Sequence, residues 1–153
     1  MPQPAISPPR WLAPLAVLLV VAGIGDAGWL TIAHYTTPVV LSCPDTGIIN
    51  CAKVTTSTYS AILGVPLALL GLLFFVAMLP LQLPVAWRSA NPLVRRLRLT
   101  AATSGVLMVF WLLYVELFKL NAICPYCSAV HVLTVALFVL TALGTALTAE
   151  AGE

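Results

Sequence analysis

Residues 120–149 read LNAICPYCSAVHVLTVALFVLTALGTALTA, a run that contains no charged side chain. The run exceeds the roughly 20 apolar residues needed to cross a hydrocarbon core. A backbone in lipid must satisfy its own hydrogen bonds, and one continuous segment does that as a helix. The same pattern extends upstream. The seven Lys and Arg and five Asp and Glu of the 153-residue chain are Arg10, Asp26, Asp45, Lys53, Arg88, Arg95, Arg96, Arg98, Glu116, Lys119, Glu150 and Glu153. Between them, Trp11 to Ile32 is apolar apart from Asp26, and Val54 to Trp87 and Leu99 to Val115 carry no charge. These intervals predict an all-α integral membrane bundle of four transmembrane helices, near 11–33, 59–82, 99–118 and 125–147. Together they form one membrane domain over 11–147, with a mobile Pro-rich tail over 1–10 and a C-terminal tail over 148–153. The first apolar run is longer than the roughly 7 to 15 residues of a signal-peptide core, which argues against a cleaved leader.

Composition excludes several function classes. With 61% apolar and 8% charged residues, the chain is far from the roughly 25% charge of a soluble domain. A net charge of +2 gives no grip on nucleic acid. The partner implied by composition is the lipid bilayer. Five of the seven positive charges, Arg10, Arg88, Arg95, Arg96 and Arg98, fall before the first helix or in the loop between the second and third. The positive-inside rule then puts both termini and that loop in the cytoplasm, and the segments 34–58 and 119–124 outside.

All four cysteines are on or near that outer face, as Cys43 with Cys51 in the first outer loop and Cys124 with Cys127 as Cys-Pro-Tyr-Cys. Facing an oxidising compartment, they can cycle as disulfides. Cys124 and Cys127 enclose two residues at the start of a helix, a poor staple but a good redox device, because free N–H groups and the helix dipole stabilise a thiolate. Pro125 suits the first helical position. The Cys43 and Cys51 pair flanks a turn made by Pro44, Asp45, Thr46 and Gly47, and by itself reads equally as a loop staple. Two dithiols on one face of a small bundle can instead exchange electrons in series through mixed disulfides. A tetrathiolate zinc centre fits less well, since seven residues separate the first pair where structural zinc sites use about two to four; no metal is expected.

The order Cys43, Cys51, Ser57, then Ile62-Leu63-Gly64-Val65-Pro66, then Cys124-Pro125-Tyr126-Cys127 resembles the vitamin K epoxide reductase family, its bacterial members in particular, over about residues 11–147. In the other bacterial family of quinone-coupled thiol oxidases the Cys-x-x-Cys pair comes first, so the order here argues against it. The resemblance implies a four-helix bundle around a quinone of the menaquinone, phylloquinone or ubiquinone type, capped by the cysteine-bearing outer loop. It implies that Cys124 and Cys127 are the active pair, with Cys127 the one that reacts with quinone. Cys43 and Cys51 would shuttle electrons from a thioredoxin-like partner, and Ser57 would lie near the active pair. Where animal members bond the quinone oxygens through a tyrosine and an asparagine, this chain holds His131 and Ser60. Bacterial relatives often carry a fused thioredoxin-like domain; this sequence shows none before Glu153, so a separate partner is expected. The activity implied is transfer of electrons from that partner to quinone, supporting disulfide formation in exported proteins, in a bacterial cytoplasmic membrane with the active face outward.

Several other residues bear on the site. His131 lies four residues after Cys127, on the same helix face, at a depth where ionisable groups usually serve function. Phe110, Trp111 and Tyr114 include an i, i+4 pair that would wall a ring-shaped ligand, or else anchor the helix at the interface. Asp26 reads as structural or snorkelling, His34 as an exposed end residue, and Glu116 with Lys119 as a weak surface pair. The competing class is a non-catalytic transporter or metal-carrier subunit whose cysteines are ligands or staples.

Overall fold

Leu12–Thr36 forms the first helix, α1, and its 25 residues rise roughly 37 Å, enough to span a bilayer. The computed structural model describes residues 9–36, 43 and 46–149. Most of the expected N-terminal tail (1–8), the turn residues Pro44 and Asp45, and residues 150–153 lie outside the described part. Beyond α1 come α2 (Cys51–Thr55), a 3-10 turn (Thr58–Ser60), a hairpin of β1 (Ala61–Ile62) and β2 (Val65–Pro66), α3 (Leu67–Gln82), α4 (Pro84–Trp87), α5 (Pro92–Tyr114) and α6 (Pro125–Ala149). Helix α1 packs on α3 and α6, and α5 packs on the same two, closing a four-helix ring. Lipid tails are as apolar as the helix surfaces, so close packing has to drive this association. Small residues allow it: Ala16, Gly23 and Ala27 are buried along one face of α1, and a Cβ at Gly23 would overlap the Phe75 ring. Phe75, Met78, Ala102 and Leu137 complete that core.

Two spans depart from the sequence reading. The second begins at Leu67 rather than near 59, because 58–66 folds into the 3-10 turn and a two-residue hairpin in which Ile62 pairs with Val65. Leu63 and Gly64 at its tip have φ of 52° and 81°, the conformation that a tight hairpin turn requires. At 16 residues, α3 rises only about 24 Å, whereas α1, α5 with its continuation to Leu120, and α6 are long and apolar enough to cross a membrane. The third span begins at Pro92 rather than near 99. Asn91 accepts a hydrogen bond from the Leu93 amide at 2.9 Å and Pro92 takes the first helical position, a start signal that extends the helix through the arginines.

Arg98 is consequently not a loop charge. Its guanidinium lies 3.5 Å over the Trp87 ring and donates to the Leu81 carbonyl at 3.4 Å, buried at 3% exposure. Beside it the buried Gln82 donates to Thr141 Oγ1 at 2.9 Å. This end of the bundle is tied by side chains, whereas the other is tied by backbone. There Gly47, at φ 60°, turns the chain so that Thr46 pairs with Ile49. Ile49 then forms a parallel bridge with Ile123: Ile123 N–H donates to the Ile48 carbonyl at 2.8 Å, and Asn50 N–H to the Ile123 carbonyl at 3.1 Å. Asn50 caps α2 by accepting from the Lys53 amide at 2.8 Å.

Candidate active site

The bridge between Ile49 and Ile123 fixes where the cysteines go, since Cys51 and Cys124 follow it within two residues on the two paired segments. Both are buried, at 1% and 0% exposure, in one cluster with Leu30, Ala33, Val54 and Ala122, and Cys43 and Cys127 pack against that cluster. Cys43 and Cys51 are joined as a disulfide with their Cα atoms 6.0 Å apart, and Cys124 and Cys127 are free thiols. The two pairs expected to work in series are therefore in one place.

Cys124 sits just ahead of α6, where the first N–H groups have no helical acceptor. Its sulfur accepts from the Cys127 amide at 3.4 Å and its carbonyl from the Ser128 amide at 2.9 Å. The Cys127 thiol hydrogen-bonded to it, helped by the amides of Cys127 and Tyr126, holds the Cys124 thiol below its usual range. Burial and the Glu116 carboxylate act in the opposite direction without winning. The direction is the one that the Cys-Pro-Tyr-Cys pattern at a helix start predicts.

Cys127, one step along α6, opens on a cavity of about 100 Å³. Its walls are largely apolar, with Ala27, Leu30, Leu67, Ala68, Leu112 and Val115 contributed by α1, α3 and α5 and its continuation. Ser57, Ser60 and His131 also line it, so the structure brings these three expected contacts together with Cys127. Their hydrogen bonding differs. Ser57 Oγ donates to the Val54 carbonyl at 3.0 Å and Ser60 Oγ to the Ser57 carbonyl at 2.7 Å, so each hydroxyl proton is already engaged. His131, at 5% exposure, has a buried Nδ1 without a partner among the described residues. Leaving a buried polar atom unpaired costs about 1–3 kcal/mol, so of the three residues the imidazole is the one with hydrogen-bonding capacity unspent.

Phe110, Trp111 and Tyr114 do not reach it. They stand on the outer face of α5 at 64%, 50% and 43% exposure, while Leu112 and Val115 take the cavity side. Tyr114 instead stacks on Phe118 with centroids 5.4 Å apart and lies 6.0 Å from Trp111, an outward aromatic strip of the kind that anchors helices at a membrane interface. His34 is exposed, as expected, yet also touches the cavity rim, and Asp26 on α1 is half-buried.

Glu116 is the residue that sequence reasoning missed. The i, i+3 spacing to Lys119 predicts a shared surface face, but Val115–Leu120 is a π-helical turn, whose extra residue rotates the register. Glu116 is 4% exposed and lines the cavity, while Lys119 points outward with Nζ 5.9 Å from the Tyr114 ring. Asn121, in the left-handed conformation with φ 46°, ends the turn, and the Asn121 and Ala122 amides both donate to the Glu116 carbonyl. The signal that could have found it is a lone carboxylate near the end of an apolar span, the argument already applied to His131.

Independently of this geometry, the profile of the Vitamin K epoxide reductase family matches residues 14–142. The match takes in all four cysteines, the whole of α3 and α5 and most of α1 and α6, and the chain therefore belongs to this family of membrane thiol and quinone oxidoreductases.

Proposed function

We propose that the chain carries electrons from the dithiol of a separate thioredoxin-like protein through Cys43 and Cys51, then Cys124 and Cys127, to a membrane quinone, and so supports disulfide formation in exported proteins. The observation that supports this most is the single cluster in which Cys51 and Cys124 are buried together, with Cys43 at its edge and Cys127 on the cavity. The cavity suits a quinone: apolar walls would hold a ring, and His131, whose Nδ1 has no partner among the described residues, would offer it a polar group. Ser57 and Ser60 would flank the ring, their hydroxyl protons engaged by backbone.

The exchange steps balance within the chain. A partner thiolate attacks Cys43 and releases Cys51, which attacks Cys124 of the inner disulfide and releases Cys127. The partner's second thiol then frees Cys43, and Cys43 attacks Cys51, restoring the loop disulfide and expelling Cys124. The depressed Cys124 thiol makes it a good leaving group in that last displacement. The outcome is a loop disulfide above a reduced inner pair, the state in which the four sulfurs stand here. Quinone, when bound, supplies the acceptor for two electrons and two protons and leaves as quinol. Cys127 presents its sulfur to the cavity, His131 holds a proton toward the ring oxygen, and the apolar walls exclude water.

Anaerobic mixing of reduced protein with menaquinone and ubiquinone analogues should yield one quinol for every two thiols lost. An unchanged thiol count with both analogues would favour cysteines that are ligands or staples. The arginine end would face the cytoplasm. A membrane-impermeant thiol reagent applied from outside, after reduction, is expected to label the loop cysteines; labelling only from the cytoplasmic side would overturn both orientation and compartment.

A further inference from the structure

Glu116 is a carboxylate enclosed by a membrane bundle, on the wall of the same cavity as Cys127. Lys119, its neighbour in sequence, is turned away over Tyr114, and the exchange steps above make no use of it. An ionisable side chain inside an apolar span is costly, and is retained where protons or ligands pass. The π turn that swings Glu116 inward is itself a departure from regular helix of the kind found at functional sites. Two features place it against the thiols rather than elsewhere in the cavity. The turn runs directly into the bridge at Ile123 and so to Cys124, and the Glu116 charge acts on the Cys124 thiol.

We propose that Glu116 takes the proton from the Cys127 thiol as the inner dithiol is oxidised. The inference rests on the quinone-reducing reading above. Oxidation of Cys124 and Cys127 forms one S–S bond and releases two electrons and two protons, and quinone receives all four and departs as quinol. The Glu116 carboxylate accepts the Cys127 proton, generating the thiolate, and passes that proton on, so that it ends ionised as it began. General base help of this kind is matched to a thiol that must react as thiolate. The other titratable groups around the cavity are His34 on α1, exposed at the rim, Tyr59 in the 3-10 turn, and His131 one turn deeper on α6. Asp26 on α1 adjoins the cavity-lining Ala27. Of these, His131 is placed to serve the ring oxygen, His34 and Tyr59 are exposed, and Asp26 is not itself among the lining residues, which leaves Glu116 for the sulfur.

Two measurements on reduced protein test this. Single-turnover thiol oxidation by a soluble menaquinone analogue should slow on the order of 10²-fold in Glu116→Gln, the low end for loss of a general base, and lose its dependence on pH in the acid range. Glu116→Asp should recover part of the rate. Without quinone, alkylation of Cys127 by a small maleimide, read by mass spectrometry, also proceeds through the thiolate, so it should slow in Glu116→Gln and recover in part in Glu116→Asp, while thiol exchange at the Cys43–Cys51 disulfide stays as in wild type. Slow oxidation and slow alkylation with intact loop exchange support proton transfer. Loss of loop exchange as well would mean that the fold has collapsed and would overturn the role, as would wild-type alkylation, or a wild-type oxidation rate and pH profile, in Glu116→Gln. A wild-type protein that reduces no quinone although its thiols alkylate normally would strike at the function itself.

Discussion

In Cys127→Ser protein, quinone reduction is expected to fall to the uncatalysed background, while thiol exchange at the Cys43–Cys51 disulfide continues. The asymmetry follows from position. Cys127 is the member of the inner pair that opens on the cavity, whereas Cys124 is fully buried beside Cys51. A serine hydroxyl in place of the Cys127 sulfur cannot form the inner disulfide, so no electron pair reaches the ring however fast the loop turns over. Cys43→Ser is expected to do the reverse, cutting off the protein partner. A small reductant such as dithiothreitol is expected to bypass the loop, so Cys43→Ser should keep measurable quinone reduction with dithiothreitol and lose it with a thioredoxin-like dithiol protein. Following quinol absorbance and partner oxidation side by side separates the two. Equal loss of both activities in both variants would instead mean that the cysteines hold the structure together.

Much of this arrangement is legible in the chain because charge is so sparse. The gaps between Arg10, Lys53, Arg88, Arg98, Glu116 and Glu150 outline the spans, and the two cysteine pairs announce the chemistry. What escapes is local. Ile62-Leu63-Gly64-Val65 is apolar and runs without a break into α3, so composition extends the helix back to 59; only Gly64 before Val65-Pro66 hints at the turn. The arginines at 95, 96 and 98 look like a loop because charge marks the edge of a span, yet the Asn91-Pro92 start signal places them on α5. The aromatics at 110, 111 and 114 show a deeper limit. Lipid is as apolar as a ligand cavity, so hydropathy cannot say which face of α5 turns inward, and packing sends these three outward. Glu116 was hidden by the same periodicity argument that places side chains correctly on an α-helix, because one π turn shifts everything after it.

His131→Ala is expected to lower quinone turnover by something like 10² to 10³, the range for removing one donor aimed at a developing oxyanion. The imidazole is buried one turn deeper on α6 than Cys127, lines the same cavity, and keeps an unpartnered Nδ1. Ser57 and Ser60 already give their protons to backbone carbonyls, so they compete poorly for the task. A hydrogen bond to a ring oxygen strengthens as charge builds there, so the loss should appear in the rate of dithiol oxidation while exchange at the Cys43–Cys51 pair stays as in wild type. His131→Gln separates two roles of the imidazole. The amide keeps a donor that does not titrate, so a substantial recovery would assign the effect to hydrogen bonding and little recovery to proton delivery. Cys127 alkylation without quinone should be unchanged in both variants, which distinguishes this residue from Glu116 in its action on the thiol. If His131→Ala turns over quinone at the wild-type rate, the donor role passes to Ser57 or Ser60, whose hydroxyls would then have to release their carbonyls when the ring binds.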